Sequence, residues 1–156
     1  MQFNYHPPMH QAPPSHIKAL SPDFETPHFK QALSRFATGV TVITTFAPGA
    51  HKGDSASSSF VGITASSFNS VSLTPPLVLW SLGQGASSAP LFHAGTHYVV
   101  NVLAAEQLDV CNRFAFGKGD RFADTAYKLG ESGLPILDGA LAWFECHNRS
   151  RHEEGD

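Results

Sequence analysis

Apolar positions along the chain fall into short runs separated by Gly-, Ser- and Pro-rich stretches, and most of these runs read as strands. From Thr26-Pro27, where a capping residue meets a proline tolerated in a first turn, Phe29, Leu33, Phe36 and Ala37 recur at helical spacing. They predict a helix closed by Gly39. Val40–Thr45 (VTVITT) is a β-branched strand, and Phe60–Thr64 (FVGIT) a second. Leu77–Leu82 (LVLWSL) is a third, apolar enough to be buried on both faces. His97–Leu103 (HYVVNVL) and Ala140–His147 (ALAWFECH) complete the set. A short helix is expected at Ala89–Ala94, stopped by Gly95. A longer one is expected at Ala105–Phe116, with Leu108, Cys111 and Ala115 on one face. Residues 47–59, 65–75 and 117–135 read as loops and turns.

Strands outnumber helices, and loops or short helices join them. This favours a mainly β fold, an antiparallel barrel or sandwich with a few helices, over a doubly wound sheet. Residues 1–25, rich in Pro and His and without a period, read as a flexible tail with a short docking element near Ile17–Leu20. Residues 26–156 are expected to form one domain. The last nine residues, NRSRHEEGD, read as a charged turn leaving the fifth strand. That strand needs a return partner, which a further C-terminal portion or a second chain would supply.

Composition narrows the function. An apolar fraction of 42% with 12 Phe can build a real core, and a net charge of -3 without a basic block argues against nucleic acid as a partner. No run approaches the roughly 20 apolar residues of a membrane helix, and no signal peptide is visible, so no membrane association is expected. Two cysteines without framework spacing fit a reduced, cytoplasmic chain.

Two polar turns carry the candidate chemistry. Residues 62–72 (GITASSFNSVS) place hydroxyls and an amide between apolar strands, where they can present O–H and N–H groups to a phosphate or a polar ring edge. Ser81–Ser88 follows the third strand and meets a helix start. Composition alone also allows two ordinary Ser-rich turns that satisfy their own backbone.

At this point four segments resemble a known family. They are Phe29–Thr45 (FKQALSRFATGVTVITT), Gly62–Leu82 (GITASSFNSVSLTPPLVLWSL), Asn101–Ala105 (NVLAA) and Leu137–Cys146 (LDGALAWFEC). Together they are similar to the flavin reductase-like domain, whose members include the small reductase components of two-component flavin monooxygenases. The resemblance runs from about Phe29 to the chain's end. It implies an FMN-binding split barrel, a six-stranded Greek-key barrel that works as a homodimer, here incomplete at the C-terminus. It further implies FMN or FAD as cofactor and NADH or NADPH as co-substrate. Reduced flavin would pass to a partner monooxygenase. By resemblance, Thr64, Ala65, Ser66 and Ser67 hold the flavin, with Asn69 close behind. Ser81 and Leu82 line its ring and ribityl chain, Ser87 meets its phosphate, and Asn101 and Phe114 contribute to the cleft. The cofactors carry the reaction, so no catalytic triad is required and none is found.

The chain departs from the family pattern in three places. The loop after the third strand lacks a cation, and the 47–59 loop is long and Ser-rich. In the family, the Gly-Asp matching Gly155-Asp156 is followed by a His that handles nicotinamide, and by further strands. The alternatives are a flavin-binding or dimerisation module without turnover, a truncated product, or a split barrel built for a pyridoxal-type phosphate or a deazaflavin. Nine histidines invite a metal reading, but their spacing matches no metal site and none is expected. Lys118 and Arg121 are further candidates for a phosphate, with a solvated loop as the plainer reading. Cys111, Trp80 and Trp143 are read as core residues.

Overall fold

A computed structural model describes residues 26–155. The 1–25 tail expected from sequence lies outside the described residues. The chain divides into two units, Met1–Ala37 and Thr38–Asp156. In the first, α1 (Thr26–Leu33) is shorter than the apolar spacing predicts. A turn through Ser34–Phe36 replaces its last part, and Leu33 and Phe36 are exposed rather than packed.

The second unit is mainly β. Its elements are β1 (Thr41–Phe46), β2 (Phe60–Ala65), β3 (Asn69–Leu73), β4 (Pro76–Leu79), α2 (Ala89–Ala94), β5 (His97–Val102), α3 (Leu108–Phe116), β6 (Tyr127–Leu129), β7 (Pro135–Leu137) and β8 (Ala142–His147). One antiparallel sheet runs β2-β1-β5-β8, and β3–β4 and β6–β7 form two-stranded hairpins. β1 takes a central place because its β-branched side chains suit a strand covered on both faces. Val42 enters one core with Phe60, Val99, Phe114, Phe122, Leu134 and Ile136. Ile43 enters the other with Phe92, Tyr98 and Val100. Successive side chains thus serve opposite faces, as the period of two requires.

The buried threonines of β1 spend their hydroxyls on backbone carbonyls of neighbouring segments. Thr41 donates to Ala65 (2.8 Å), Thr44 to Pro135 (3.0 Å) and Thr45 to His97 (2.9 Å). Each bond removes the cost of burying an unpaired hydroxyl and fixes where the next element lies.

Three sequence expectations change. The third strand is not buried on both faces. Its ordered part, β4, folds back on β3 within the segment read as a turn, and Leu79 stays 46% exposed. The 117–135 segment is not all loop, because β6 ends within it and Pro135 starts β7. Leu134, Ile136 and Leu137 are core residues there. The longer helix starts at Leu108, and its inward face is Val110, Cys111 and Phe114, while Leu108 is 66% exposed. Gln107 explains the late start. Its side chain accepts from Ala104 N–H and donates to the Asp138 carbonyl, which holds residues 104–107 out of the helix.

The 130–132 turn is tied to β8 by Glu145, whose carboxylate accepts from Ser132 Oγ (2.6 Å), Ser132 N–H (2.7 Å) and Glu131 N–H (3.2 Å). Partial burial pushes the Glu145 pKa up. The hydrogen bonds from Ser132 and Glu131, with Lys52 nearby, pull it down further, so the net position is below the ordinary 4.5. A depressed carboxylate stabilises the fold above its unfolded value, and that contribution is lost as pH falls through the lower folded value. A Glu145→Gln variant should therefore be less stable than the parent near neutrality and should converge on it in acid. Urea midpoints measured at neutral pH and below about pH 4 check this. A gap that stays constant with pH would assign the effect to packing alone.

Candidate functional site

The chain leaving β2 and the chain leaving β4 border an open cleft of about 280 Å³. Residues 63–67 form one wall, and residues 80–83 with Ala86 form the other. Of the residues picked out by sequence, Thr64, Ala65, Ser66, Ser67, Ser81 and Leu82 line this cleft. Asn69 and Ser87 are exposed and stand outside its lining.

Asn101 and Phe114 are not brought to the cleft, and their expected place is corrected. Both are 0% exposed. The Asn101 amide donates to the carbonyls of Val42 (3.2 Å) and Pro135 (3.4 Å), and its oxygen accepts from Leu137 N–H (2.9 Å). A side chain so placed ties β5 to β1 and β7 and has nothing left for a ligand. Phe114 packs edge-on against Phe122 at 4.9 Å between ring centroids. Its ring occupies the space beside Gly62, where an added Cβ would sit 2.4 Å from it.

Within the cleft the hydroxyls divide by what they already do. Thr64 donates to the Cys111 carbonyl (2.7 Å) and so anchors β2 on α3. Ser67 is bonded to the backbone of Ser81 across the cleft. The hydroxyls of Ser66 and Ser81 have no partner among the described residues, and the backbone N–H groups of Ser66, Ser67 and Phe68 meet no protein acceptor there. The apolar part of the lining is Ile63, Trp80 and Leu82, all half-buried. Trp80, read as a core residue from sequence, is held edge-on against Phe92 (5.4 Å) and Tyr98 (5.9 Å) and also lines the cleft. Only the pairing of β3 with β4 reveals that wall, because it turns Trp80 alongside residues 65–67.

Among the described residues, no ionisable side chain lines the cleft. Arg121, a candidate for a phosphate, is spent on structure. It donates to the carbonyls of Gly117 (3.1 Å), Gly62 (2.9 Å) and Phe114 (2.9 Å). Lys118 is exposed. The arrangement therefore offers an apolar surface for a flat ring, with free N–H and O–H donors beside it for polar edges and a phosphate.

A larger cavity of about 810 Å³ lies at the other end of the sheet, beside Phe46, His51, Lys52, His97, Glu145 and His147. Phe46 and His97 are the ends of β1 and β5 remote from Ala65, so roughly 15 Å of strand separates the two cavities. The His97 and His147 rings meet edge-on at 4.9 Å, yet among the described residues no group of three or more His, Cys, Asp or Glu is placed to hold a metal ion. Cys146 is half-buried there, and burial pushes its thiol pKa up, away from nucleophilic use. Size therefore does not decide between the two cavities. The smaller one is lined by the residues that the sequence singles out. No helix among the described residues is long and apolar enough to cross a membrane.

Comparison with known proteins points the same way. Residues 33–156 match the family model described as "Flavin reductase like domain". The chain is 41% identical over 128 residues to FMN reductase (NADH) SmoA of Agrobacterium fabrum, covering 82% of this chain and 68% of that protein. It is 40% identical over 127 residues to the reductase component of the flavin-dependent trigonelline monooxygenase of Acinetobacter baylyi, covering 81% of this chain and 38% of that one. Among solved structures it is similar to the Streptomyces globisporus NADH:FAD oxidoreductase SgcE6, in complex with NAD and FAD fragments. There the TM-score is 0.70 and the identity 37%, covering 86% of this chain and 78% of that chain.

Proposed function

Because the chain belongs to the flavin reductase-like domain family, with a mainly β fold like that of the family's solved members, we propose that it binds FMN or FAD in the cleft between residues 63–67 and 80–86 and reduces it with NADH or NADPH. The observation that carries this reading is the pairing of unspent donors at Ser66 and Ser67 with the apolar surface of Ile63, Trp80 and Leu82.

The residues present fit such a group. An isoalloxazine ring is flat and apolar on its faces and polar at its edges, and the cleft has both kinds of wall. When bound, the flavin supplies the hydride-accepting chemistry, which no side chain of this protein can replace. The chain's own part is to bind and orient. Ile63, Trp80 and Leu82 cover apolar surface. The N–H groups of Ser66 and Ser67 and the hydroxyls of Ser66 and Ser81 donate to polar edges or the phosphate. Thr64, bonded to α3, keeps β2 from moving under the load. With no cation in the lining, backbone dipoles and hydroxyls must meet the phosphate's charge. Asn69 and Ser87, exposed on either side of the cleft, remain available to the parts of a flavin that extend beyond it.

The partners follow from the same chemistry. Reduced flavin is a diffusible product that a flavin-dependent monooxygenase consumes, and the trigonelline reductase component is such a system in its own organism. A second copy of the chain is the expected partner for the exposed apolar side chains of β3–β4 and β8, among them Val71, Leu73, Trp143 and Phe144. A reductant of the NAD(P)H class supports a cytoplasmic location.

The test is spectroscopic. The purified full chain is mixed with FMN, separated from free flavin and treated with NADH or NADPH without oxygen. Retained yellow colour that bleaches is the expected result. Colour that persists would favour the binding module without turnover. A chain that neither retains flavin nor accelerates NAD(P)H oxidation would remove the proposal.

A further inference from the structure

Ser67 and Ser81 stand two residues beyond the last backbone pair of the β3–β4 hairpin. Asn69 pairs with Leu79, so that register, continued outward, would set 68 opposite 80 and then 67 opposite 81. The main chain does not continue the ladder there. Instead, Ser67 Oγ accepts from Ser81 N–H (2.9 Å) and donates to the Ser81 carbonyl (2.8 Å). One hydroxyl thereby does both jobs that the N–H and C=O of residue 67 would do in an ordinary antiparallel pair. The substitution has a consequence for the backbone. Ser67 N–H is released from pairing, and with Ser66 N–H it meets no acceptor among the described residues, although both residues line the cleft.

We propose that Ser67 is a positioning residue that stands in for its own main chain as the partner of Ser81. It sets the separation of the two cleft walls and leaves the Ser66 and Ser67 N–H groups unspent for the flavin. This rests on the flavin reading above. Family resemblance puts the Ser67 hydroxyl on the cofactor itself; the bonds it makes put it on the opposite wall. The distinction matters because a direct contact serves one part of the ligand, whereas a clasp between walls serves all of it.

The experiment uses the full chain and its Ser67→Ala, Ser67→Thr and Ser66→Ala variants, titrated with FMN and with riboflavin, which lacks the phosphate. Ser67→Ala should weaken FMN and riboflavin alike, by about tenfold or more, because both depend on the spacing of the walls. Ser67→Thr keeps the hydroxyl and should stay within about threefold of the parent. Ser66→Ala removes a hydroxyl without opening the clasp and should act more weakly than Ser67→Ala. Amide hydrogen exchange at Ser81 gives a readout that needs no flavin. It should be protected in the parent and in Ser67→Thr, and fast in Ser67→Ala.

Equal flavin affinity in Ser67→Ala and the parent would overturn the clasp, as would a loss confined to FMN. An unprotected Ser81 amide in the parent would overturn it even if Ser67→Ala does not fold. Failure of the parent to bind any flavin, with Ser81 protected, would instead remove the proposed function and the positioning role with it.

Discussion

A Phe114→Ala variant is expected to lose roughly 3–5 kcal/mol of unfolding free energy, the range for removing a fully buried ring. Phe114 is 0% exposed and fills the angle between α3 and β2. Its ring lies against Phe122 and against the backbone of Gly62, a position where no Cβ fits. Neither neighbour can move in to fill the space. Phe122 is held edge-on by Phe60 and Tyr127, and Gly62 has no side chain to extend. The cavity therefore persists, and the penalty sits near the upper end of what large-to-small changes cost. A domain of this size has only about 5–15 kcal/mol in total, so urea unfolding should show a much lower midpoint. Phe114→Leu, which leaves a smaller void, should lose about 1–2 kcal/mol and stay folded. A stable Phe114→Ala protein that had lost only flavin affinity would return Phe114 to the cleft and contradict its placement in the core.

Asn101→Ala is expected to cost about 2–4 kcal/mol, for a different reason. The asparagine is buried, but its contribution is polar. It meets three backbone groups, on Val42, Pro135 and Leu137; alanine takes the acceptor from the Leu137 N–H and a donor from each of the two carbonyls, of which Pro135 keeps Thr44. An unmet buried polar group costs about 1–3 kcal/mol, and partial relaxation keeps the sum below the simple total. Asn101→Asp separates this from loss of volume. Its second oxygen would face two carbonyl acceptors, so the carboxyl is held protonated in the folded chain and its pKa rises. A raised folded value means that the folded state binds the extra proton. Stability is then greatest below the unfolded carboxylate range of about 4 and falls as pH rises towards neutrality. Urea midpoints taken across that range should decline for Asn101→Asp while the parent's do not. A pH-independent Asn101→Asp would mean that the amide contacts contribute little.

These two positions also mark where reading the chain by itself stops. The segment NVLAA belongs to a recognisable family pattern, and Asn101 stands out in it as a polar residue in an apolar strand. A pattern records that a polar residue is required, not what it touches. Whether it faces ligand or protein depends on Pro135 and Leu137, more than 30 positions along, being packed against it. The same applies to Arg121. A cation in a Gly-rich loop looks available for phosphate until three carbonyls, two at the end of α3 and one on β2, converge on it. The 127–137 stretch hides its strands because β6 and β7 are only three residues long, too short for a period of two to register.

Local chemistry along the chain was sufficient for the mainly β character, for β1, β2, β5, β8 and α2 to within a residue or two, and for the hydroxyl-rich turn that lines the cleft. Each depends on interactions within a few residues: β-branching, alternation, a Pro in the first turn of a short helix, a Gly after it. Tertiary structure alone decided which of those hydroxyls are already spent, which apolar strand lies on the surface, and which buried amide and ring serve the core. Those outcomes turn on bonds and contacts between segments far apart in sequence. A side chain can satisfy a distant carbonyl or a ligand equally well, and only the packed chain determines which is within reach.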